Sequence, residues 1–330
     1  MFEPDFQGQE PRSGENLEGA LRSSALKSAA TIKTSAPMLN RLRLTLDMIK
    51  FEHSVFALPF ALTGALLAFR DGGYDTAGIW LKLAWIVVAM VGARSAAMAF
   101  NRLVDAAIDS RNPRTRMRHL PAGLLSRAFA WGFVVMSAAV FVFAASQLNR
   151  LCLLLAPVAL AIVFFYSFTK RFTAFSHLVL GFSLGIAPAG AWIAMRGSLD
   201  PRILWLTAAV TFWTGGFDII YACQDYEFDC SEALRSIPRR WGIARALVAA
   251  RLLHVLMVLC LLALVWSLHL GPLAGAGVAA VAALLVYEHR LVKPHDLSRV
   301  NAAFFTMNGY VSVLFFVFWA ADILLRCPGA

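Results

Sequence analysis

Long runs of apolar residues, separated by short polar segments, make up most of this chain. Nine of these runs approach the roughly 20 residues that a helix needs to cross a bilayer. They lie at about 51 to 69, 78 to 104, 128 to 147, 151 to 169, 175 to 195, 203 to 223, 244 to 268, 271 to 288 and 301 to 325. Several links between runs are short enough to join only antiparallel neighbours. The pattern predicts an all-α integral membrane protein with nine transmembrane helices in one bundle.

The composition agrees with this fold class. Hydrophobic residues make up 59% of the chain and charged residues only 15%, whereas soluble domains carry about 25% charged residues. Residues 1–44 are polar and contain no apolar core like that of a signal peptide, so we expect a disordered cytoplasmic tail there. Residues 45–330 form the predicted membrane domain. The five cysteines lie mostly in or beside apolar runs and indicate neither a disulfide framework nor a zinc site.

Basic residues are distributed unevenly between the two ends of the predicted bundle. The N-terminal tail and the loops on its side carry twenty Lys and Arg residues, against four on the opposite side. By the positive-inside rule, the N-terminus lies in the cytoplasm and the C-terminus lies across the membrane. The formal net charge of +10 is therefore explained by topology, and nucleic-acid binding is not indicated.

The stretch NRLVDAAIDSRNPRTRMR carries the first candidate chemistry. Asn101, Asp105 and Asp109 follow one another at four-residue spacing and form one stripe at the end of the second helix. The following arginines are Arg111, Arg114, Arg116 and Arg118. Two carboxylates one turn apart repel each other and need a cation or a basic partner. Alone, the motif also fits a solvated helix end that these arginines neutralise.

A second acidic stretch, DIIYACQDYEFD, ends the sixth run on the same side. Asp218, Tyr221, Asp225 and Asp229 have spacings of three, four and four residues, which predicts a single helical face. Magnesium prefers hard oxygen ligands and often takes one or two carboxylates plus substrate phosphates. Arginine forks match phosphate oxygens. Together the two stretches predict a diphosphate held between two acidic helix ends through metal ions.

Three further residues are candidates for the site. Tyr166 and Lys170 share a face at the end of the fourth run, where, taken alone, an ordinary interfacial anchor is the favoured interpretation. Arg94 lies midway along the second run and needs an anionic partner, either an aspartate of the bundle or a substrate carboxylate. The histidines His53, His177 and His254 lack metal-ligand spacing and are interpreted as packed or interfacial.

These motifs resemble those of the UbiA-type intramembrane aromatic prenyltransferases. That family has an N-x3-D-x3-D motif and a second D-x3-D motif preceded by an aspartate and a tyrosine. The positions of Arg114, Arg118 and the Tyr166–Lys170 pair match as well, and the resemblance covers about residues 45–325. Within the family, residues 52–68 and 216–229 most resemble the 4-hydroxybenzoate polyprenyltransferase branch and its relatives in menaquinone synthesis.

The resemblance implies a fold and a reaction. It implies nine helices around a central cavity, and Mg2+-dependent transfer of a polyprenyl group from polyprenyl diphosphate to an aromatic acid. The acid is 4-hydroxybenzoate, or alternatively a dihydroxynaphthoate, in ubiquinone or menaquinone biosynthesis. It places the enzyme in the bilayer of a bacterial-type cytoplasmic (inner) membrane with its active site toward the cytoplasm. No obligate protein partner is evident.

The resemblance also implies roles for individual residues. The metal ligands are Asp105, Asp109, Asp225 and Asp229. The residues expected to bind the diphosphate are Asn101, Arg114, Arg118, Tyr166, Lys170 and Tyr221. Asp218 is expected to orient or deprotonate the acceptor, and Asp105, Asp225 and Lys170 complete the catalytic set. For Arg94 and Lys50, a role near the acceptor rests on position and charge.

Two other functional classes are weighed against this one. A secondary transporter carries charges near the middle of the membrane on broken helices, whereas here, Arg94 apart, the charges cluster at one interface. A phosphotransferase that joins a nucleotide-activated head group to a lipid alcohol has a D-G-x2-A-R arrangement, which this sequence lacks.

Overall fold

The computed structural model describes residues 44–49, 54–73 and 76–326, and this part of the chain is helical. Its extended pairing is limited to one isolated bridge between Lys293 and Asp296, in the loop before the last helix. The main helices are α1 (Ser54–Asp71), α2 (Ile79–Asp109), α3 (Arg127–Leu148), α4 (Arg150–Thr169), α5 (Ser176–Arg196), α6 (Leu204–Ala222), α7 (Tyr226–Ser231), α8 (Ile237–Trp241), α9 (Ile243–Ser267), α10 (Pro272–Leu291) and α11 (Asn308–Leu324).

The length and composition of these helices confirm an integral membrane fold. Within the described residues, eight helical segments are long and apolar enough to cross a bilayer, and they run from α2 to α11. The predicted first span, at about 51 to 69, begins outside the described residues, and its described part forms the 18-residue helix α1. Nine spans and a cytoplasmic N-terminus therefore stay predictions.

Helices that are joined by short links pack against each other. α2, α3, α4 and α5 pack side by side, α6 packs against α5 and α9, and α1 packs against α5 and α11. Asn149, between α3 and α4, accepts a hydrogen bond from the Cys152 amide at 2.9 Å. Its side-chain amide donates to the Ile193 carbonyl of α5 at 2.8 Å. This one residue begins α4 and ties it to α5.

Small residues allow two of these helix pairs to approach closely. A side chain at Gly64 of α1 would place its Cβ 2.5 Å from the Pro188 carbonyl oxygen of α5, and one at Gly181 of α5 would come 2.2 Å from the Thr211 carbonyl of α6. Such contacts are characteristic of membrane helices, which lack a hydrophobic driving force between them and associate through close packing. Replacing either glycine would push the helices apart.

Aromatic rings fill the core between α1, α6 and α11. Phe60 of α1 contacts Trp213 of α6 at 4.8 Å and Phe315 of α11 at 4.7 Å between ring centroids. The Trp213 indole N–H donates to Asn308 Oδ1 at 2.9 Å, so its one polar group is satisfied within the apolar interior. These contacts join three helices that are distant in sequence into one rigid unit.

The two acidic motifs compare differently with the sequence prediction. The first motif was expected on the end of the second helix, and α2 continues to Asp109 and carries the whole of it. The single helical face predicted from Asp218 to Asp229 is wrong. α6 ends at Ala222, and a 3-10 turn at Cys223–Asp225 separates it from α7. A 3-10 turn has about three residues per turn instead of 3.6, so it rotates the later carboxylates relative to Asp218.

Candidate active site

Asp105 is the buried centre of the first acidic motif. Its side chain is 5% exposed, and Lys170 Nζ lies 2.6 Å from its Oδ2. Arg171 Nη2 contacts Oδ1 at 3.2 Å, and the Asn101 amide donates to Oδ2 at 3.1 Å. Lys170 and Arg171 follow the last residue of α4, so the packing of α4 beside α2 brings these cations to the carboxylate. The predicted grouping of Asn101, Asp105 and Lys170 is observed.

Asp109 ends α2 and is held by the loop that follows it. Arg118 Nη1 lies 2.8 Å from both carboxylate oxygens. The Thr115 hydroxyl donates to the Asp109 carbonyl at 3.1 Å, which satisfies one of the last carbonyls of the helix. The loop therefore folds back over the helix end, and it places Arg118 beside the first motif.

Asp225 links the second acidic motif to the loop that follows the first motif. Arg114 Nε donates to its Oδ1 at 2.9 Å and Arg114 Nη2 contacts Oδ2, which makes a bidentate pair. Arg114 Nη1 donates to the Tyr221 hydroxyl at 2.9 Å, and the Asn112 amide donates to Asp225 Oδ1 at 3.1 Å. Burial alone would lower the pKa of Arg114, but the hydrogen bonds and charge of Asp225 raise it above its usual value. The guanidinium is therefore permanently charged.

The other two carboxylates of the second motif have different partners. Asp229 is 9% exposed, and its Oδ2 accepts a hydrogen bond from Ser236 at 2.7 Å. Asp218 Oδ2 lies 2.7 Å from His177 Nδ1 at the start of α5. The Ile237 amide donates to His177 Nε2 at 3.5 Å, so Nδ1 carries the proton that Asp218 accepts. Asp218 therefore stands apart from the arginine-bound carboxylates.

A largely apolar cavity of about 380 Å³ opens between α2, α3, α4 and α5. Arg94, Asn101 and Tyr166 contribute polar groups to its wall. Asn101 is shared with the acidic motif, so the cavity begins at the ionic end of the site. Arg94 Nε is buried and has no hydrogen-bond partner among the described residues. Of the two partners predicted for Arg94, an aspartate of the bundle is therefore not observed in this part of the chain.

The remaining predicted residues divide into two groups. Lys50 lies outside the described residues. The four predicted metal ligands, Asp105, Asp109, Asp225 and Asp229, lie at one end of the bundle, each bonded to a basic or hydroxyl group. In the described ranges, no three His, Cys, Asp or Glu side chains converge closely enough to hold an ion. Their role as metal ligands stays a prediction.

Sequence reasoning missed four residues of this site, and one of them is Arg171, which contacts Asp105. His177 was interpreted as a packed histidine, and it is buried, but it also holds Asp218. Asn112 and Ser236 each bond a carboxylate of the second motif. The sequence offered one signal for Asn112 and Ser236: both are polar residues in loops that follow the acidic motifs. The pairings themselves depend on tertiary folding.

Known proteins share both the sequence pattern and the fold. The model of the UbiA prenyltransferase family matches residues 57–319. The 4-hydroxybenzoate octaprenyltransferase of Vibrio vulnificus is 30% identical over 265 residues, which cover 77% of this chain and 89% of that protein. The protein of the same name from Vibrio atlanticus is 29% identical over 239 residues, covering 71% and 83%.

Solved structures agree with this assignment. The apo structure of a UbiA homolog from Aeropyrum pernix K1 is 34% identical with a TM-score of 0.74, and the match covers 82% of this chain and 98% of that one. A UbiA homolog from Archaeoglobus fulgidus, bound to DMAPP and Mg2+, shares the fold at 20% identity and a TM-score of 0.63, with 85% and 99% covered. Because the family model covers most of the chain, this protein belongs to the UbiA prenyltransferase family and is an integral membrane transferase.

Proposed function

We propose that this enzyme transfers a polyprenyl group from polyprenyl diphosphate to 4-hydroxybenzoate in quinone biosynthesis. One observation carries the proposal: an end rich in paired carboxylates and cations adjoins an apolar cavity, and Asn101 belongs to both. An ionic head group and a long apolar tail on one molecule fit this combination. The names of the relatives from Vibrio support the choice of donor and acceptor.

The ionic end fits a diphosphate with magnesium. The donor set consists of hard carboxylate oxygens, which Mg2+ prefers, and three of the four carboxylates are buried. Asp105, Asp109, Asp225 and Asp229 would hold the metal ions, whose bound charge would neutralise the leaving diphosphate. A UbiA homolog of this fold binds DMAPP together with Mg2+.

The cations that pair with the carboxylates would bind the diphosphate oxygens. Arg114 and Arg118 present guanidinium forks, and Lys170 presents a mobile ammonium, at the end of the bundle where the cavity begins. These groups would stabilise the negative charge that develops as the C–O bond of the allylic diphosphate breaks. Asn101, Tyr166 and Tyr221 would complete the contacts at the mouth of the cavity.

The cavity would hold the prenyl chain and the acceptor ring away from water. Its apolar wall would prevent hydrolysis of the allylic cation. The cation would form a C–C bond to the ring carbon ortho to the hydroxyl, and the ring would then lose its proton. Arg94, whose Nε has no partner in the described chain, would bind the acceptor carboxylate. Asp218, held by His177, would orient the acceptor hydroxyl or accept its proton.

We also propose that the active site faces the cytoplasm. All four carboxylates lie at the end of the bundle where the arginine-rich loops cluster, and the excess of Lys and Arg on that side supports a cytoplasmic location. In a bacterial cell, the bilayer would be the cytoplasmic membrane. Residues 1–43 of the predicted cytoplasmic tail lie outside the described residues.

A reconstituted assay tests the proposal. The purified chain in detergent is incubated with Mg2+, a radiolabelled polyprenyl diphosphate and a panel of hydroxylated aromatic acids that includes 4-hydroxybenzoate and a dihydroxynaphthoate. We expect prenylated 4-hydroxybenzoate as the main product. A prenylated naphthoate alone would reassign the acceptor. Folded protein that prenylates no acid in the panel would contradict the proposal.

A further inference from the structure

A second cavity, of about 540 Å³, lies beside the loop that follows α4. Its wall consists of residues 172–174 and of Arg235, Ser236, Arg239 and Arg240 around the short helix α8. None of the three arginines belongs to the set proposed to bind the diphosphate. The cavity is therefore a separate basic site at the same end of the bundle.

The charge of this cavity is not compensated within the described chain. None of the three guanidinium groups pairs with a carboxylate of the described residues. Arg235 Nη1 donates to the Phe172 carbonyl at 2.6 Å, and Arg239 Nη1 donates to the Leu234 carbonyl at 2.8 Å. These bonds fix two guanidinium groups and leave most of their five donors available. Three guanidinium groups line one cavity, and two of them are held by carbonyl oxygens. This arrangement favours a bound anion.

Three aromatic residues form what we call the aromatic rim: Phe172 lines the cavity, and Phe175 and Trp241 directly follow its lining residues Ala174 and Arg240 in the chain. Phe172, Phe175 and Trp241 are 48%, 42% and 38% exposed, and the Phe175 and Trp241 rings are in edge contact at 6.3 Å between centroids. Exposed aromatic rings at the end of a transmembrane bundle lie at the level of the lipid head groups. Basic pockets between helices at this depth bind lipid head groups.

From this juxtaposition we propose that Arg235, Arg239 and Arg240 bind the phosphate of an anionic phospholipid. The aromatic rim favours a lipid over a soluble phosphate, because rings at this depth contact the glycerol and upper acyl region of the same molecule. The site does not depend on the proposed reaction.

The pocket also touches the ionic site through its backbone and one side chain. The Arg235 amide donates to the Lys170 carbonyl at 2.9 Å, and Ser236 bonds Asp229. A lipid in the pocket therefore restrains the segment that carries these contacts. We expect bound anionic lipid to raise the melting temperature of the purified protein relative to zwitterionic lipid alone.

Native mass spectrometry tests the proposal directly. The full chain is purified in detergent, equilibrated with equal amounts of phosphatidylglycerol and phosphatidylcholine, and the retained lipids are counted. The pocket variant is Arg235→Gln/Arg239→Gln/Arg240→Gln. The matched control is Arg290→Gln/Lys293→Gln/Arg299→Gln, which removes the same charge from exposed positions in and beside the loop after α10. We expect the wild type and the control to prefer phosphatidylglycerol, and the pocket variant to lose roughly 100-fold of that preference, since each of the three arginines contributes roughly fivefold.

Three outcomes would overturn the proposal. The pocket variant could retain as much phosphatidylglycerol as the wild type, or the control could lose as much as the pocket variant, which would indicate diffuse surface attraction. Inorganic phosphate could displace the lipid at comparable concentration, which would indicate a site for small anions. If the triple variant does not fold, Arg240→Gln replaces it. Its exposed side chain makes no recorded hydrogen bond in the described chain, and we expect a loss of roughly fivefold.

Discussion

Lys170 Nζ lies 2.6 Å from Asp105 Oδ2, and this pair ties the end of α4 to the acidic stripe of α2. The pair balances a carboxylate that is otherwise almost completely buried. Because Arg171 Nη2 also contacts Asp105, at 3.2 Å, the carboxylate keeps one cationic partner when Lys170 is replaced. In the proposed reaction, the same ammonium group faces the leaving diphosphate.

Lys170→Gln tests this double role. The substitution keeps a hydrogen-bond donor for Asp105 but removes the positive charge, so we expect kcat to fall by about 100-fold or more, as when one stabilising donor is lost from a transition state. The measurement is kcat in the prenyl-transfer assay, together with the thermal melt. Lys293→Gln, at an exposed position, is the control and should retain wild-type kcat. A kcat equal to that of the control would remove Lys170 from the mechanism.

Arg114→Lys tests the connection between the two acidic motifs. Lysine keeps the charge but cannot reproduce the fork that holds Asp225 and Tyr221 together, so we expect kcat/KM to fall by about 10- to 100-fold, corresponding to one or two charge-assisted hydrogen bonds. Arg116→Lys is the matched control in the same loop, because the Arg116 side chain is exposed. Equal activities in the two variants would show that the fork is dispensable.

His177→Gln tests whether His177 positions Asp218. Glutamine can donate to Asp218 but cannot keep both contacts of the imidazole ring, so we expect kcat to fall by about tenfold while KM for the polyprenyl diphosphate stays unchanged. The second buried histidine, His254, bonds His289 at 2.9 Å, away from the carboxylates. His254→Gln should lower the melting temperature and leave kcat of the folded protein intact. A change confined to KM for the diphosphate would contradict the positioning role.

Arg94→Gln tests the proposed contact with the acceptor. The substitution removes the charged partner of the acceptor carboxylate in the cavity. It should therefore raise KM for 4-hydroxybenzoate by about 10- to 100-fold and leave KM for the polyprenyl diphosphate unchanged. A phenol without a carboxylate provides an internal control, because the variant and the wild type should use it equally well. Unchanged discrimination between the acid and the phenol would exclude Arg94 from the acceptor site.

The sequence predicted most of the fold because membrane helices can be recognised from the length and hydropathy of apolar runs. It placed the first acidic motif correctly at the end of the second helix, which continues to Asp109. The 3-10 turn at Cys223–Asp225 could not be predicted. The spacing of the aspartates around it fits an uninterrupted α-helix, so no local pattern marks the turn.

The residue types in the sequence suggested a chemistry for the site, which stays a prediction, but they did not indicate the pairings. Carboxylates and arginines at one interface indicate phosphate and metal binding from their types alone. The contact of Arg114 with Asp225 joins residues 111 positions apart, and the contact of His177 with Asp218 joins residues 41 positions apart. Periodicity reports only neighbours on one helix, so such pairs follow from helix packing and not from local pattern.

The central claim is that the two acidic motifs act together on one diphosphate through magnesium. Its most direct measurement is the rate of prenylated 4-hydroxybenzoate formation by the wild type, Asp105→Asn and Asp225→Asn, each assayed with Mg2+ and with excess chelator. Both variants remove one carboxylate charge with little change in volume. We expect Mg2+-dependent product from the wild type, and loss of turnover in both variants with nearly unchanged thermal melts. Product formation that persists with chelator, or that survives in both folded variants, would contradict the central claim.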